Sequence, residues 1–434
     1  MMRALIVVMV LALLTACTGG TSNPEQWDPG KKTTLTVLTF NERLFKEQYG
    51  TPFLIKNENI TLITKLPSPG EVNWGEELAE KQPDLLHITK EQYIELAEKG
   101  LLYDLEPMLK EDGWNSEGLH PAVLQLLRDH ADGVMYGGTA TLQSKALYYN
   151  AGLFRQFGVP LPEDQMTWEQ VYDRASHFQG GSGDDPVYGY SSQDPSILDQ
   201  LLQMGRSEGL TLFSPDGKQF LISSESWKTL YGLLVKALET GTVFTLPSSA
   251  YGPETQYRNH PFVMGQSAML VGDTSYLSIL DSKGSTEESR IDWGVAALPQ
   301  GGQSQPGNNP EYQLYDIVAV SKEAAQPGAA KAFIQYMMSE EWARETAEAN
   351  PYALLARYQL QKEGVIPERR LDPFFSLDST ARLDGGQITD EVLALIEDVV
   401  LEETERVLSG SATVEAALQE IQAKGQAILE HGSR

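Results

Sequence analysis

The side chains able to do chemistry in this chain are few or scattered. Its only cysteine is Cys17, so no second thiol can share a metal with it or close a disulfide. The six histidines are His87, His120, His130, His177, His260 and His431. No two stand four residues apart, as a zinc-binding helix face requires, and no HExxH occurs. A nucleophilic serine would need a G-x-S-x-G turn, and Gly265-Gln266-Ser267-Ala268-Met269 fails at its last position. There is no Walker loop and no G-x-G-x-x-G. The glycines Gly180, Gly181 and Gly183 run into Asp184 and Asp185, the wrong charge for a phosphate cradle. With 60 acidic residues, pairs such as Asp184/Asp185 and Glu402/Glu403 arise on any solvated surface. The residues leave open a glycosidase-like carboxylate pair and a calcium site assembled from distant oxygens. They single out no catalytic residue, metal ligand or cofactor, and the reading that follows is non-enzymatic.

The lone cysteine acquires a meaning from its neighbours. The chain opens MMRALIVVMVLALLTAC: one basic residue, Arg3, then eleven apolar residues, Ala4 to Leu14. That run is too short to span a bilayer, which takes roughly 20 residues, and it has the basic-then-apolar layout of a secretory signal. Residues 1–16 are therefore expected to be removed. Leu14-Thr15-Ala16-Cys17 resembles the bacterial lipobox, in which the cysteine becomes the first mature residue and carries lipid. Residues 17–32, rich in Gly, Ser, Pro and polar side chains, read as a flexible tether. Formal charge is −27; losing Arg3, the one charged residue of 1–16, makes it −28. So acidic a surface repels nucleic acid and anionic lipid. An acidic body on a tether is expected at the outer face of a cytoplasmic membrane, with a Gram-positive envelope favoured.

The remaining residues spell out an α/β body. Thr33–Thr39 is a β-branched strand ending in the polar run Asn41-Glu42-Arg43. Ile60–Leu66 and Pro83–Ile88 are further strands, with helices over Val72–Lys81 and Glu91–Lys99, the second stopped by Gly100. Alternating strands and helices imply a largely parallel sheet, whose ligands bind at the carboxyl ends of the strands. Phe40 to Glu42 and His87 to Thr89 are candidate cleft residues on that ground. Farther on, Thr167 with Gln170 begins a helix through a capping box, and Ser224–Thr240 is a long amphipathic helix. Strands follow at Ala268–Val271, Asp292–Leu298 and Tyr312–Val320, and helices occupy most of the chain after Gly328. A chain of 434 residues ordinarily divides into two lobes.

Several segments in order resemble the family 1 extracellular solute-binding proteins of bacterial ABC transporters, the maltose-binding-like group. They include Gln82-Pro83-Asp84-Leu85, Gly100 to Leu105, Asp132-Gly133-Val134-Met135-Tyr136-Gly137 and Tyr148-Tyr149-Asn150-Ala151-Gly152-Leu153-Phe154. Phe262-x-x-Gly265-x-x-Ala268-Met269, Trp293 to Pro299 and Ala329–Glu341 complete the series. The resemblance covers roughly residues 33–430. It implies a two-lobed type II periplasmic-binding-protein-like fold with a ligand cleft between discontinuous lobes. The N-lobe would be 33–145 with 274–315, and the C-lobe 146–273 with 316–434. Crossovers would fall near Ala146–Asn150, Val271–Thr274 and Tyr312–Val318.

The resemblance implies a lipid-anchored, monomeric receptor that captures a solute, most commonly a sugar or oligosaccharide, for the permease subunits of an ABC importer. The alternatives are a ligand-sensing or non-transport envelope lipoprotein of the same fold and, in a different class, a secreted glycoside hydrolase. Aromatic rings stack on sugar faces and polar groups bind hydroxyls. Near the expected crossovers and strand ends this gives Phe40, Asn41, Glu42, Gln143, Tyr149, Asp273, Thr274, Tyr276, Trp293 and Tyr352 as ligand-binding candidates. Where relatives carry tryptophan after the "AM" strand, this chain reads Gly272-Asp273-Thr274-Ser275-Tyr276, so the ring comes later and is a tyrosine.

Overall fold

A computed structural model describes residues 27–432, apart from 71, 108–109, 111–113, 115, 130–131, 179–185, 194–195, 215, 246–251, 253–256, 284–290, 302–311, 363–370 and 376–387. Cys17, the expected leader, most of the tether, His130 and the acidic pair Asp184/Asp185 lie outside the described residues. No helix among the described residues is long and apolar enough to cross a membrane.

Among the described residues, ten strands make two five-stranded sheets. They are β1 Thr33–Thr39, β2 Ile60–Lys65, β3 Leu85–Ile88, β4 Gly137–Gly138, β5 Lys145–Asn150, β6 Tyr188–Ser191, β7 Val243–Phe244, β8 Ser267–Asp273, β9 Trp293–Ala296 and β10 Ile317–Val320. The first sheet has the order β2-β1-β3-β10-β4, and the second β7-β6-β8-β5-β9. In the first, β2 and β3 run parallel to β1, while β10 is antiparallel to β3. In the second, β6 is parallel to β7 and β8, and β5 is antiparallel to β8 and β9. Each is thus an α/β sheet with one reversed strand, β10 in the first and β5 in the second.

Local chemistry sets the elements as expected from the sequence. Thr167 and Thr89 both close capping boxes, on the helices Trp168–Ala175 and Lys90–Glu98. Gly100, just past the second helix, takes φ +67°, a left-handed conformation that glycine adopts without strain. All regular elements described after Pro327 are helices. Asp84, buried at the start of β3, accepts the N–H of Thr36 at 2.9 Å and that of Gln326 at 2.8 Å. It therefore pins β1 and the start of helix Pro327–Met337 to one strand end.

The first core gathers Leu35, Val37, Phe45, Phe53, Leu86, Phe333, Ile334 and Trp342 around the first sheet. The second gathers Leu147, Phe154, Trp168, Tyr190, Trp227, Leu234, Ile396 and Ile421 around the second. One side of the second sheet, with Ala146, Tyr148, Leu270 and Trp293, packs with Tyr276, Leu277 and Leu280 of helix Ser275–Lys283 and joins the first cluster. The two lobes therefore share apolar contact beside the junction.

The segment boundaries drawn from the sequence differ from the sheets. β9 pairs with β5 in the second sheet, although 274–315 was expected in the first lobe. β10 lies between β3 and β4 in the first sheet, and the helices to Phe375 pack on that core, although 316–434 was expected in the second lobe. Among the described residues, the chain packs on the second core again from Ile388 onward. The reason is physical: β10 is buried at all four residues. A strand covered on both faces shows no alternation to indicate its partners. The strand at Ala268–Val271 also runs farther than expected, taking Gly272 and Asp273 into β8, with the helix beginning at Ser275.

Candidate functional site

Register places the carboxyl ends of the parallel strands beside the chain crossings. In the first sheet Thr39 pairs with His87 and Ile317 with Ile88, so Phe40, Thr89 and the residues just before β10 share one edge. In the second, Lys145 pairs with Asp273 at the carboxyl end of β8. Between the two lies a narrow ladder. Gln143 and Gln313 exchange both backbone hydrogen bonds at 2.9 Å. On the other side of the same segment, Leu142 N–H donates to Leu354 O at 2.9 Å, and Ala356 N–H to Ala140 O at 2.8 Å. The hinge is thus a small β-ladder of three segments, and the two carboxyl edges flank it.

The first edge is aromatic and polar. Phe40 is 47% exposed and meets Trp74 edge-on, with ring centroids 6.4 Å apart. Tyr315 is 52% exposed and donates its hydroxyl to Gln313. Asn41 Oδ1 accepts the Leu44 N–H at 3.0 Å, which caps the short helix Glu42–Phe45. Glu42 is exposed and takes hydrogen bonds from Lys46 and Thr64, which hold its carboxyl below the usual range. Behind them Thr39 Oγ1 lies 2.9 Å from His87 Nδ1, and His87 Nε2 lies 3.0 Å from Asp316 Oδ1. Tyr49, buried beside this group, has its hydroxyl pushed far up by burial and by the Asp316 carboxylate.

The second edge is a tight polar knot. Gln193 Nε2 donates to Asp273 Oδ2 at 2.7 Å while Asp273 N–H donates to Gln193 Oε1 at 3.0 Å. Tyr257 donates its hydroxyl to the same Oδ2 at 3.1 Å, and Ser275 N–H donates to Oδ1 at 2.8 Å. Tyr148 donates to the Asp273 carbonyl at 2.7 Å. Asp273 thus has both carboxylate oxygens engaged in fixing the exit of β8. Thr274 follows it, half-buried.

The expected site residues divide accordingly. Phe40, Asn41 and Glu42 lie together on the first edge, and Gln143 lies on the hinge ladder through its backbone. Two expected cleft rings, Tyr276 and Trp293, are buried packing residues, and a third, Tyr149, is half-buried. Tyr276 is wholly buried against Tyr148 and Tyr257, at ring distances of 5.7 and 5.4 Å. Trp293 is buried against Tyr148 at 6.1 Å. Tyr149 meets Phe154 edge-on at 6.1 Å and lies over Gly294, where an added Cβ would come within 2.4 Å of it. Rings near a strand end were expected to face outward; alternation turns Tyr148 and Tyr149 to opposite faces of β5, and both faces are covered. Tyr352 is half-buried and hydrogen-bonds Asp281 of helix Ser275–Lys283.

Sequence reasoning missed Tyr315, Asp316, Gln193 and Tyr257. The first two were hidden because Tyr312–Val320 reads as one strand, whereas β10 begins only at Ile317. A separate pocket of about 460 Å³ lies between the ends of helices Trp168–Ala175 and Glu225–Glu239, lined by Glu169, Asp173, Lys236 and Thr242. It adjoins the start of β7, at the opposite end of the second sheet from the hinge.

This architecture can be compared with known proteins. Residues 74–344 match the family described as bacterial extracellular solute-binding protein. The chain belongs to that family. Its work is accordingly the capture of a solute, not turnover. This solute-binding protein is 20% identical to a Brucella abortus binding protein over 352 residues, 80% of each chain. Among solved structures it is similar to the sugar-binding protein MalE of Xanthomonas citri, with TM-score 0.69 and 16% identity, covering 92% of this chain and 98% of that one. It is similar to a sugar transporter protein of Rhizobium etli in an open conformation, with TM-score 0.67 and 19% identity, covering 91% and 99%. A Listeria monocytogenes substrate-binding protein in complex with cycloalternan gives TM-score 0.63 and 20% identity, covering 93% and 100%. These likenesses bear out the two-lobed α/β fold expected from the sequence.

Proposed function

We propose that this solute-binding protein captures a neutral sugar or oligosaccharide and delivers it, as a monomer, to the permease subunits of an ABC importer. The observation that carries the reading is the first edge: two half-exposed rings, Phe40 and Tyr315, stand beside polar acceptors at the mouth of the hinge. Rings of this kind cover the apolar face of a sugar, and carboxylate and amide groups bind its hydroxyls. The Xanthomonas protein is described as sugar-binding, the Rhizobium one as a sugar transporter, and the Listeria one is in complex with cycloalternan, which supports the same class. Ligand bound between the lobes would favour a closed form to the extent that it contacts both edges better when they approach.

The test is calorimetry and thermal shift with maltotriose, cellobiose, cycloalternan and D-mannitol beside a tripeptide and spermidine. Heat and stabilisation from a sugar are expected. A response to the peptide or polyamine alone would overturn the ligand class.

Anchoring belongs to the same proposal. Cys17 would carry lipid after loss of residues 1–16 and hold the body, through the tether, at the outer face of the membrane, in a Gram-positive envelope by our reading of its acidic charge. Cys17→Ser is expected to move the protein from the membrane fraction to the medium. An unchanged distribution would refute anchoring.

A further inference from the structure

Thr39, His87 and Asp316 come from three neighbouring strand ends and form one row across the carboxyl edge of the first sheet. The direction of each hydrogen in the row follows from its neighbours. The Asp316 carboxylate can only accept, so His87 Nε2 carries a hydrogen and gives it to Asp316 Oδ1 at 3.0 Å. In the singly protonated ring Nδ1 is then the acceptor and takes the Thr39 hydroxyl hydrogen at 2.9 Å, while Thr39 Oγ1 accepts the Asn41 N–H at 3.2 Å. Thr39 and His87 are buried, whereas the Asp316 side chain is 25% exposed.

A carboxylate can accept about four hydrogen bonds. Among the described residues, Asp316 receives one, on Oδ1. The buried imidazole therefore fixes the orientation of a rim carboxylate from behind and leaves Oδ2 as a directed acceptor. That oxygen can take a hydroxyl hydrogen and repels an anion. Beside it in sequence is the half-exposed ring of Tyr315, and across the edge is Phe40. A ring next to a fixed acceptor suits a sugar ring with its apolar face on the aromatic and a hydroxyl at the carboxylate.

We propose that Asp316 accepts a ligand hydroxyl, that His87 is its positioning residue, and that Thr39 selects the histidine tautomer. The proposal rests on the sugar reading above and deepens it: the subsite takes an uncharged polyol edge and rejects a carboxylate or phosphate there.

Two experiments test it. Titrations with maltotriose, cellobiose, cycloalternan and D-mannitol first identify a probe that binds the unaltered protein. With that probe, Asp316→Asn and His87→Leu are each expected to weaken binding about 10- to 100-fold, the range for a lost hydrogen bond to a charged group. His87→Leu should add little in the Asp316→Asn background, and His87→Gln, which keeps a donor near the Nε2 position, should restore most of the affinity. Equal binding by Asp316→Asn, with an unchanged urea midpoint, overturns this inference and leaves the sugar reading standing. No heat from any of the four probes overturns both. The second experiment needs no ligand: ring nitrogen chemical shifts of His87, assigned by their loss in His87→Gln, should show hydrogen on Nε2. Hydrogen on Nδ1 alone overturns the relay.

Discussion

Tyr276 is wholly buried among Tyr148, Tyr257 and His260, whereas Tyr315 leaves half of its surface at the junction. Both are tyrosines near a chain crossing, so residue type and position in the sequence could not separate them. What separates them is the neighbouring ring cluster, which joins Tyr257 and His260 to Tyr148 from a strand more than a hundred positions earlier. The difference is measurable. Tyr276→Ala should lose about 3–5 kcal/mol of stability, as for other buried aromatics, with the loss read from urea unfolding. Tyr315→Ala should stay within about 0.5 kcal/mol of the unaltered protein while weakening sugar binding about tenfold. His260 gives a pH prediction. Its Nδ1 accepts the Phe262 N–H at 3.3 Å and its Nε2–H donates to Ser192 O at 2.9 Å. Burial pushes its pKa down to about 4, only partly offset by the Ser192 carbonyl. The unfolded chain takes up a proton near pH 6.5 that the folded chain refuses. The stabilisation is therefore complete above about pH 6.5 and is lost as pH falls toward 4, by about 3 kcal/mol at most. Urea midpoints at pH 7 and 4.5 should diverge by more in the unaltered protein than in His260→Gln.

At the scale of elements, the parts set by neighbouring residues were readable and those set by distant ones were not. The capping boxes at Thr167 and Thr89 are local, and the strand β1 shows its β-branched run directly. β9 and β10 are four residues each, and their sheets are decided by partners far along the chain. The polar knot on Asp273 was equally invisible, because Gln193 lies 80 residues before it. Packing between elements supplies a sharper test than any of these. At Gly189 in β6 an added Cβ would stand 2.0 Å from the backbone oxygen of Ala175, at the end of helix Trp168–Ala175. Backbone on both sides of the clash cannot swing away as a side chain can. Gly189→Ala is expected to cost about 3 kcal/mol or more, seen as a lowered urea midpoint. A variant of unaltered stability would mean that helix and strand do not approach so closely.

For the whole molecule the decisive feature is that two sheets are joined by a thin β-ladder and by the apolar contact that Tyr148, Leu270 and Tyr276 make with the first core. Hinge bending at few residues is expected of such a junction, with Gln143 and Gln313 among the residues that absorb it. Binding of a sugar between the edges should reduce the radius of gyration in small-angle scattering. It should also raise stability by about 2.7 kcal/mol at a hundred times the dissociation constant. An unchanged radius at saturation would indicate that ligand binds without closure. Two lobes and their α/β character were legible from the strand and helix pattern, but not the route of the chain between them. That route has an outcome for how the protein is made. The second core is closed by helices Asp390–Leu408 and Val414–Gly432, whose Ile396, Val400, Leu418 and Ile421 pack with residues some two hundred positions earlier. A chain made amino end first cannot complete this lobe until these two helices are made, whereas among the described residues the first core is complete at Phe375. The second lobe is thus the later of the two to have all its core residues available, and its folding is tied to the two carboxyl-terminal helices.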